Sequence, residues 1–402
     1  MSYPYKRIFV IVADSAGVGY EPDADKFFNA GHSDWGSNTF GHIAEKMPNG
    51  LNIPNMEAMG IADLTEVKGT KKVSHPHAFA ARSREVSNGK DTMTGHWEMM
   101  GIYTKEPFKT FTDTGFPKEL IDELEKRTGH KIIGNIAASG TEIIKELGEQ
   151  QMKENSLIVY TSSDSVLQIA AHEEVTGLDE LYRCCQIARD LCMKEEWKIG
   201  RVIARPYLGD NPSNFKRTSN RHDYALNPPI PTTMNILKDN GYDVKCVGKI
   251  NDIFNGYGVT STVKTTSNSD GMNKTMEIAK SDFKGICFVN LVEFDSEYGH
   301  RRNVAGYAKA LETFDKELGE LISILKEDDL LMITADHGND PTWKGTDHTR
   351  EKVPLLIYSS SINSGKLLKE RESFGDIGAT ILKVFDLTKP NNLIGKEIEE
   401  VL

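Results

Sequence analysis

Paired cysteines are missing from this chain. Cys184, Cys185, Cys192, Cys246 and Cys287 include no C-x-x-C spacing, which excludes a zinc ribbon and a thioredoxin-type redox motif. An odd number of thiols, several in apolar runs, reads as buried free cysteines in a reducing compartment. Long apolar runs are missing as well. Nothing approaches the roughly 20 apolar residues that span a bilayer, so no membrane association is expected. The first apolar run is broken by Asp14, too soon for a signal-peptide core, and a cytoplasmic location is expected. Positive charge is in deficit, with 48 Lys+Arg against 59 Asp+Glu and a formal net charge of −11. Such a chain repels a phosphate backbone, which argues against nucleic acid as a partner. Biased tracts and internal repeats are absent. At 402 residues and 38% hydrophobic, the chain is an ordinary globular protein, too long for one small core.

What is present is a series of short apolar runs at 8–13, 157–161, 244–247, 286–292, 330–334 and 353–358. They are continuous rather than alternating, as in parallel strands covered on both faces. Helical patterns lie between them. At 117–128, Leu120, Ile121 and Leu124 share a face, and Pro117 suits the helix start. Another helix begins near Ser139, where Ser139 and Glu142 have capping-box spacing. A third, at 179–194, turns Leu181, Cys184, Ala188 and Leu191 inward, and a fourth covers 305–325. Strand–helix alternation predicts an α/β architecture. The Pro-rich break NPPIP at 227–231 and a composition change near Thr104 divide the chain. The expected organisation is a core domain (1–104 and 229–402) interrupted by an inserted domain (105–228).

Three acids follow apolar strands: Asp14 after IFVIVA, Asp295 after FVNLVEF and Asp336 after LLMITA. Ligands in open α/β sheets bind beyond the carboxyl ends of the strands. Carboxylates gathered there repel one another unless a cation neutralises them. One such Asp usually caps the next helix; three, with His300, His337 and His348 nearby, favour a metal site. Imidazole and carboxylate suit Mn²⁺ or Zn²⁺ better than Ca²⁺. These six residues provide three ligands for each of two ions, the arrangement that clamps an in-line phosphoryl displacement. In GKDTMTGHWEMMG (89–101), a Thr hydroxyl can sit at a helix N-terminus, where negative charge is favoured and metal coordination can activate it. Chemistry alone leaves Thr92 and Thr94 both open. Between 198 and 222, Lys198, Arg201, Arg205, Lys216, Arg217 and Arg221 stand against one acid, Asp210, and suggest either a phosphate site or a solvated basic surface. Asp164 can bond sugar hydroxyls or cap a helix.

These motifs resemble the phosphopentomutase family of the alkaline phosphatase superfamily. The likeness runs through VADSAGVG (12–19), GKDTMTGHWE (89–98), YTSSDSVLQIAAHEE (160–174), GRVIARP (200–206), NRHDYAL (220–226), FDSEYGHRR, TADHGNDP and GTDHTREKVPLL. It implies an alkaline phosphatase-like α/β core with a mostly parallel sheet flanked by helices, plus a smaller inserted α/β cap domain. It also implies an isomerase that interconverts ribose or deoxyribose 1-phosphate and 5-phosphate. The implied cofactors are two Mn²⁺ ions, other divalent ions being admissible, with a sugar bisphosphate as primer. Asp14, Asp336 and His337 would hold one ion, Asp295, His300 and His348 the other, with Thr92 between them as phosphorylated residue and metal ligand. Asp164 and Arg201 fall at substrate positions, and Arg221 and Lys249 at phosphate contacts. A monomer acting on small molecules is the default. Two stretches depart from the family pattern: NAGHSDWG (29–36) is longer, and NIAASG (135–140) lacks a Lys-Pro.

The same residues imply a phosphothreonine enzyme that passes through a pentose 1,5-bisphosphate. The alternatives are a phosphomonoesterase on the same core, a phosphoglycerate mutase relative, a sulfatase and a metal-stabilised interaction protein. A sulfatase lacks support, because no C-x-P-x-R string exists here. A phosphoglycerate mutase relative would be expected to use Ser, and an interaction protein would leave the Thr motif and basic cluster without a role.

Overall fold

Arg7–Ala13, the first apolar run, forms a strand buried at every position. It occupies the centre of a seven-stranded sheet in the computed structural model, which describes residues 4–402 apart from 163, 164 and 195. The sheet runs in the order Ser261–Val263, Asp243–Val247, Gly285–Leu291, Arg7–Ala13, Asp329–Thr334, Val353–Tyr358, Ala78–Ser83. The first five strands are parallel. Val353–Tyr358 was expected to be parallel but pairs antiparallel with both neighbours. A parallel return needs a crossover, usually a helix, whereas residues 335–352 form a loop without one. Two groups of helices pack with this sheet. Thr39–Lys46, Asn268–Lys280 and Val304–Ile322 form one, and Thr92–Met99, Thr233–Asp239 and Gly375–Val384 the other. At the amino end of the central strands, Arg7 donates from Nε and Nη2 to the two carboxylate oxygens of Asp329, at 2.7 and 2.6 Å. Because Arg7 and Asp329 are register partners, this buried pair fixes how the two strands align.

The chain divides into two units, Met1–Pro107 with Pro228–Leu402, and Phe108–Asn227. The second unit has its own mixed sheet, in the order His222–Ala225, Arg201–Leu208, Val166–His172, Leu157–Thr161, Ile132–Ala137. Alternate residues of Leu157–Thr161 face opposite sides, as a strand requires. Leu157 and Val159 pack with Leu120, Leu124, Leu181 and Ala188 from the helices Lys118–Thr128 and Leu178–Leu191. Ile158 and Tyr160 pack with Ile143 and Ile144 from Gly140–Glu154. Ser139 stands at the N-cap of that helix, but the expected capping box does not form. Its hydroxyl lies 3.0 Å from that of Thr141, and Glu142 instead accepts from Lys145. All five cysteines are buried and free of disulfides. Three lie in the inserted unit, and burial pushes the Cys192 thiol up to about 12.

Candidate metal centre

Parallel register brings the carboxyl ends of three strands level. Val12 is opposite both Asn290 and Thr334, and Ala13 is opposite Leu291. Asp14 therefore leaves its strand beside Asp336-His337, which follow Thr334. The next strand continues into a π-helical turn, Phe294–Gly299, that carries Asp295 and delivers His300 at its end. Such turns recur at functional sites because the extra residue redirects side chains. His348 comes from the loop returning to Val353–Tyr358.

The six residues assemble as two sets. Potential ligand atoms of Asp14, Asp336 and His337 all lie within 4.8 Å of one another, and so do those of Asp295, His300 and His348. The rings of His337 and His348 are 4.0 Å apart between centroids, so the sets adjoin. Each carboxylate has an oxygen held by an N–H. Asn290 Nδ2 donates to Asp14 Oδ2 at 2.7 Å, the Ser15 backbone N–H donates to Asp336 Oδ1 at 3.0 Å, and Asn339 Nδ2 donates to Asp295 Oδ1 at 2.7 Å. Arg302 in turn donates to Asn339 Oδ1. His337 Nδ1 faces the Gly338 carbonyl at 3.0 Å, and His300 Nδ1 faces the Thr346 carbonyl at 2.6 Å. A carbonyl only accepts, which assigns the proton to Nδ1 in both rings and leaves Nε2 as the donor atom for a metal.

Charge within the centre is unbalanced. Burial, then the neighbouring Asp336 and Asp295, push the Asp14 carboxyl well above the usual range. Burial acts upward on Asp295 as well, but His300 and His348 together hold it well below that range. Burial lowers His337 and keeps its imidazole neutral, the form that ligates. Asp14 Oδ1 and Asp336 Oδ2 are buried without a hydrogen-bond partner among the described residues. A buried anionic oxygen left in that condition is costly. Carboxylate and neutral imidazole donors gathered around such oxygens fit divalent cations.

Asp91 caps the helix Thr92–Met99 and separates the two candidate hydroxyls. Asp91 Oδ1 accepts from the Thr94 N–H at 3.0 Å, and Oδ2 accepts from the Thr94 hydroxyl at 2.6 Å. Thr94 is fully buried, and its hydroxyl is committed to that cap. Thr92 Oγ1 instead lies 3.3 Å from His337 Nε2, at the first position of the helix. Lys249 starts the short helix Ile250–Ile253, close enough to Asp14 to favour its anion. The longer stretch 29–36 forms a small hairpin, Phe28–Asn29 with His32–Ser33. Asn29 donates to the Asp347 carbonyl and accepts from its N–H, which ties the hairpin to the residue before His348.

The other expected contacts lie in the inserted unit. Arg201 is half-buried at the start of its strand. Arg221 is exposed and holds Asp223 through two bonds of 2.6 Å. The basic window thus ended one residue before an acid that partly neutralises it. Arg205, Lys216, Arg217 and Arg221, with Thr141 and Phe215, line a cavity of about 440 Å³. Burial, then Arg221, pull Arg205 down to about 10, with Asp223 only partly opposing them, as expected where cations outnumber acids. Asp164 lies outside the described residues. Sequence reasoning missed Asn290 and Asn339, whose amides hold Asp14 and Asp295, and His96, whose ring flanks Asp336. Only Asn290 left a signal, as a polar residue inside a continuous apolar run.

Sheet, strand-end carboxylates and paired ligand sets define a metal-dependent α/β enzyme, and the metalloenzyme superfamily model matches residues 6–389. A phosphopentomutase of Clostridium botulinum (strain Alaska E43 / Type E3) is 58% identical, covering 99% of each chain. One from Clostridium beijerinckii (strain ATCC 51743 / NCIMB 8052) is also 58% identical, covering 98% of each. A crystal structure of Leishmania mexicana phosphoglycerate mutase covers 98% of each chain at 12% identity, with a TM-score of 0.49. The chain belongs to the phosphopentomutase family and is an isomerase of the mutase type.

Proposed function

We propose that this enzyme interconverts ribose or deoxyribose 1-phosphate and the 5-phosphate through a phosphorylated Thr92. The placement of Thr92 carries this reading. Its hydroxyl opens a helix 3.3 Å from His337 Nε2, beside two adjoining ligand sets. Phospho-Thr92 gives its phosphoryl group to the free hydroxyl of a pentose monophosphate. The Thr92 Oγ–P bond breaks, a sugar O–P bond forms, and the sugar's hydroxyl proton ends on the freed Thr92 oxygen, giving a pentose 1,5-bisphosphate and the Thr92 hydroxyl. The bisphosphate turns over, its other phosphate returns to Thr92, and the isomeric monophosphate is released.

Asp14, Asp336 and His337 hold one divalent ion and Asp295, His300 and His348 the other, with Mn²⁺ preferred. When bound, such a pair offsets charge on the transferring phosphoryl group and the leaving oxygen. The helix N-terminus at Thr92 favours the dianionic phosphate. Arg201, Arg221 and the basic cavity of the inserted unit take the phosphate that is not reacting. Asp164 orients sugar hydroxyls, and Lys249 adds positive charge. An enzyme that loses its phosphate to water needs repriming, which a sugar bisphosphate supplies. The scheme needs only small-molecule partners and suits a cytoplasmic monomer.

The test is conversion of deoxyribose 1-phosphate with Mn²⁺, with and without a sugar bisphosphate, and mass spectrometry of the same sample. Isomerisation stimulated by the bisphosphate, with phosphate on Thr92, is expected. Inorganic phosphate release exceeding isomerisation replaces this reading with a phosphomonoesterase.

A further inference from the structure

A buried amide is ordinarily bonded at both ends. Asn290, in the fully buried strand Gly285–Leu291, is bonded at one. Its Oδ1 has no hydrogen-bond partner among the described residues. Its Nδ2 donates to Asp14 Oδ2 at 2.7 Å and lies 3.4 Å from His96 Nε2. The amide is therefore placed for the carboxylate and the ring, not for the strand. His96 is fully buried. Its Nδ1 lies 2.8 Å from the Thr92 carbonyl and 3.2 Å from Asp336 Oδ2. The Thr92 carbonyl accepts, so Nδ1 carries the proton, with Asp336 Oδ2 near it but outside hydrogen-bond geometry, and Nε2 is left to face the Asn290 amide.

The helix also touches the Asp336 backbone directly. A Cβ on Gly95 would stand 2.1 Å from the Asp336 carbonyl oxygen. Only glycine allows this approach, which puts the first turn of Thr92–Met99 against the strand end carrying Asp336-His337.

We propose that His96 and Asn290 are positioning residues that set the Thr92 turn against the carboxylates of Asp14 and Asp336. The proposal rests on Thr92 as the phosphorylated residue. A helix-local role for His96 requires only the bond to Thr92, four residues earlier. The contacts with Asp336 and Asn290 add the register between nucleophile and metal ligands.

His96→Asn keeps an N–H near the Nδ1 position, His96→Gln moves it toward Nε2, and Asn290→Ala removes the amide. Three readouts are needed: kcat against KM for deoxyribose 1-phosphate, phosphate on Thr92 by mass spectrometry, and calorimetric Mn²⁺ titration of the metal-free protein. Losing a side chain that holds a metal ligand in place typically costs about 10–100-fold in activity or metal affinity. His96→Gln and Asn290→Ala should lower kcat by that factor, with KM nearly unchanged and less phospho-Thr92. Asn290→Ala should also weaken Mn²⁺ binding, and His96→Asn should recover most of the kcat lost in His96→Gln. The proposal is overturned if both variants keep kcat and Mn²⁺ affinity within about twofold, an effect well below that range. It is equally overturned if His96→Asn and His96→Gln lose only folded protein and do so equally. If the parent enzyme carries no phosphate on Thr92, the functional reading fails, and the Mn²⁺ titration alone decides the positioning claim.

Discussion

The two ligand sets share a plan and differ in shielding. In each, an asparagine amide holds one oxygen of an aspartate, Asn290 on Asp14 and Asn339 on Asp295. Asp14, Asp336 and His337 lie on strand ends and are fully enclosed. Asp295 and His300 ride on a π-helical turn, and the His300 side chain keeps 21% of its surface exposed. Their electrostatics diverge further. Both aspartates pay for burial, yet Asp14 is pushed up while Asp295 is held down. Burial is therefore not what separates them. Asp295 faces two imidazoles and the Asn339 amide, whereas Asp14 faces two carboxylates against one imidazole, His337, the Asn290 amide and the charge of Lys249. The enclosed set stores repulsion that a cation relieves; the exposed set is closer to balance without one.

The largest expected effect tests what the two sets serve together. Thr92→Ala should lower isomerisation by about 10⁴-fold or more, the scale of losing a covalent nucleophile. Full mutase activity in that variant would refute the phosphothreonine mechanism. Next come substitutions that separate the sets. Asp336→Asn should reduce activity more than His300→Ala, because water can enter the vacated position only at the exposed set. About 100-fold or more is expected for the former and about 10-fold for the latter, from the usual range for metal-site changes. Metal analysis of the purified variants checks the ranking, and equal losses would remove the distinction.

A smaller effect carries opposite signs. Metal-free Asp14 titrates above the ordinary carboxylate value near 4, so its stabilising contribution is present at low pH and lost as pH rises through its folded value. Asp295, lowered, contributes above the ordinary value and loses that contribution as pH falls through its folded value. With a chelator at neutral pH, Asp14→Asn should raise the melting temperature and Asp295→Asn should lower it, each by on the order of 1 kcal/mol in stability. Saturating Mn²⁺ should reverse the first sign, because the variant forfeits ion binding to the folded state. The smallest effect concerns the hydroxyl assigned to the helix cap. Thr94→Val should cost about 1 kcal/mol of stability and leave phosphate on Thr92, as thermal melts and mass spectrometry would show.

Much of this centre was legible in the sequence, because a continuous apolar run ending in Asp marks both a strand and its carboxyl end. Asp14 and Asp336 were read that way, with His337 and His300 close behind strand-end acids and His348 in the loop that follows. Ala78–Ser83 escaped notice, since AFAARS neither alternates nor looks branched and apolar. The direction of Val353–Tyr358 was missed because pairing depends on the connection, not on strand composition. Ser139 and Glu142 had capping spacing, but nearby Thr141 and Lys145 competed for them. Spacing alone did not separate Thr92 from Thr94; the resemblance pointed to Thr92, and the bonds that tie Thr94 to Asp91 are in keeping with it. His96 sits inside a helical motif where nothing in its neighbours signals a carboxylate contributed from a distant strand.

The buried thiols have a practical use. Cys184, Cys185 and Cys192 lie in the inserted unit and Cys246 and Cys287 in the core, so alkylation in the native state should be slow at all five. Each unit thereby carries a built-in label for its own opening. Timed alkylation followed by peptide mapping would report which unit breathes first, and whether substrate or Mn²⁺ closes one of them alone, without adding a single probe.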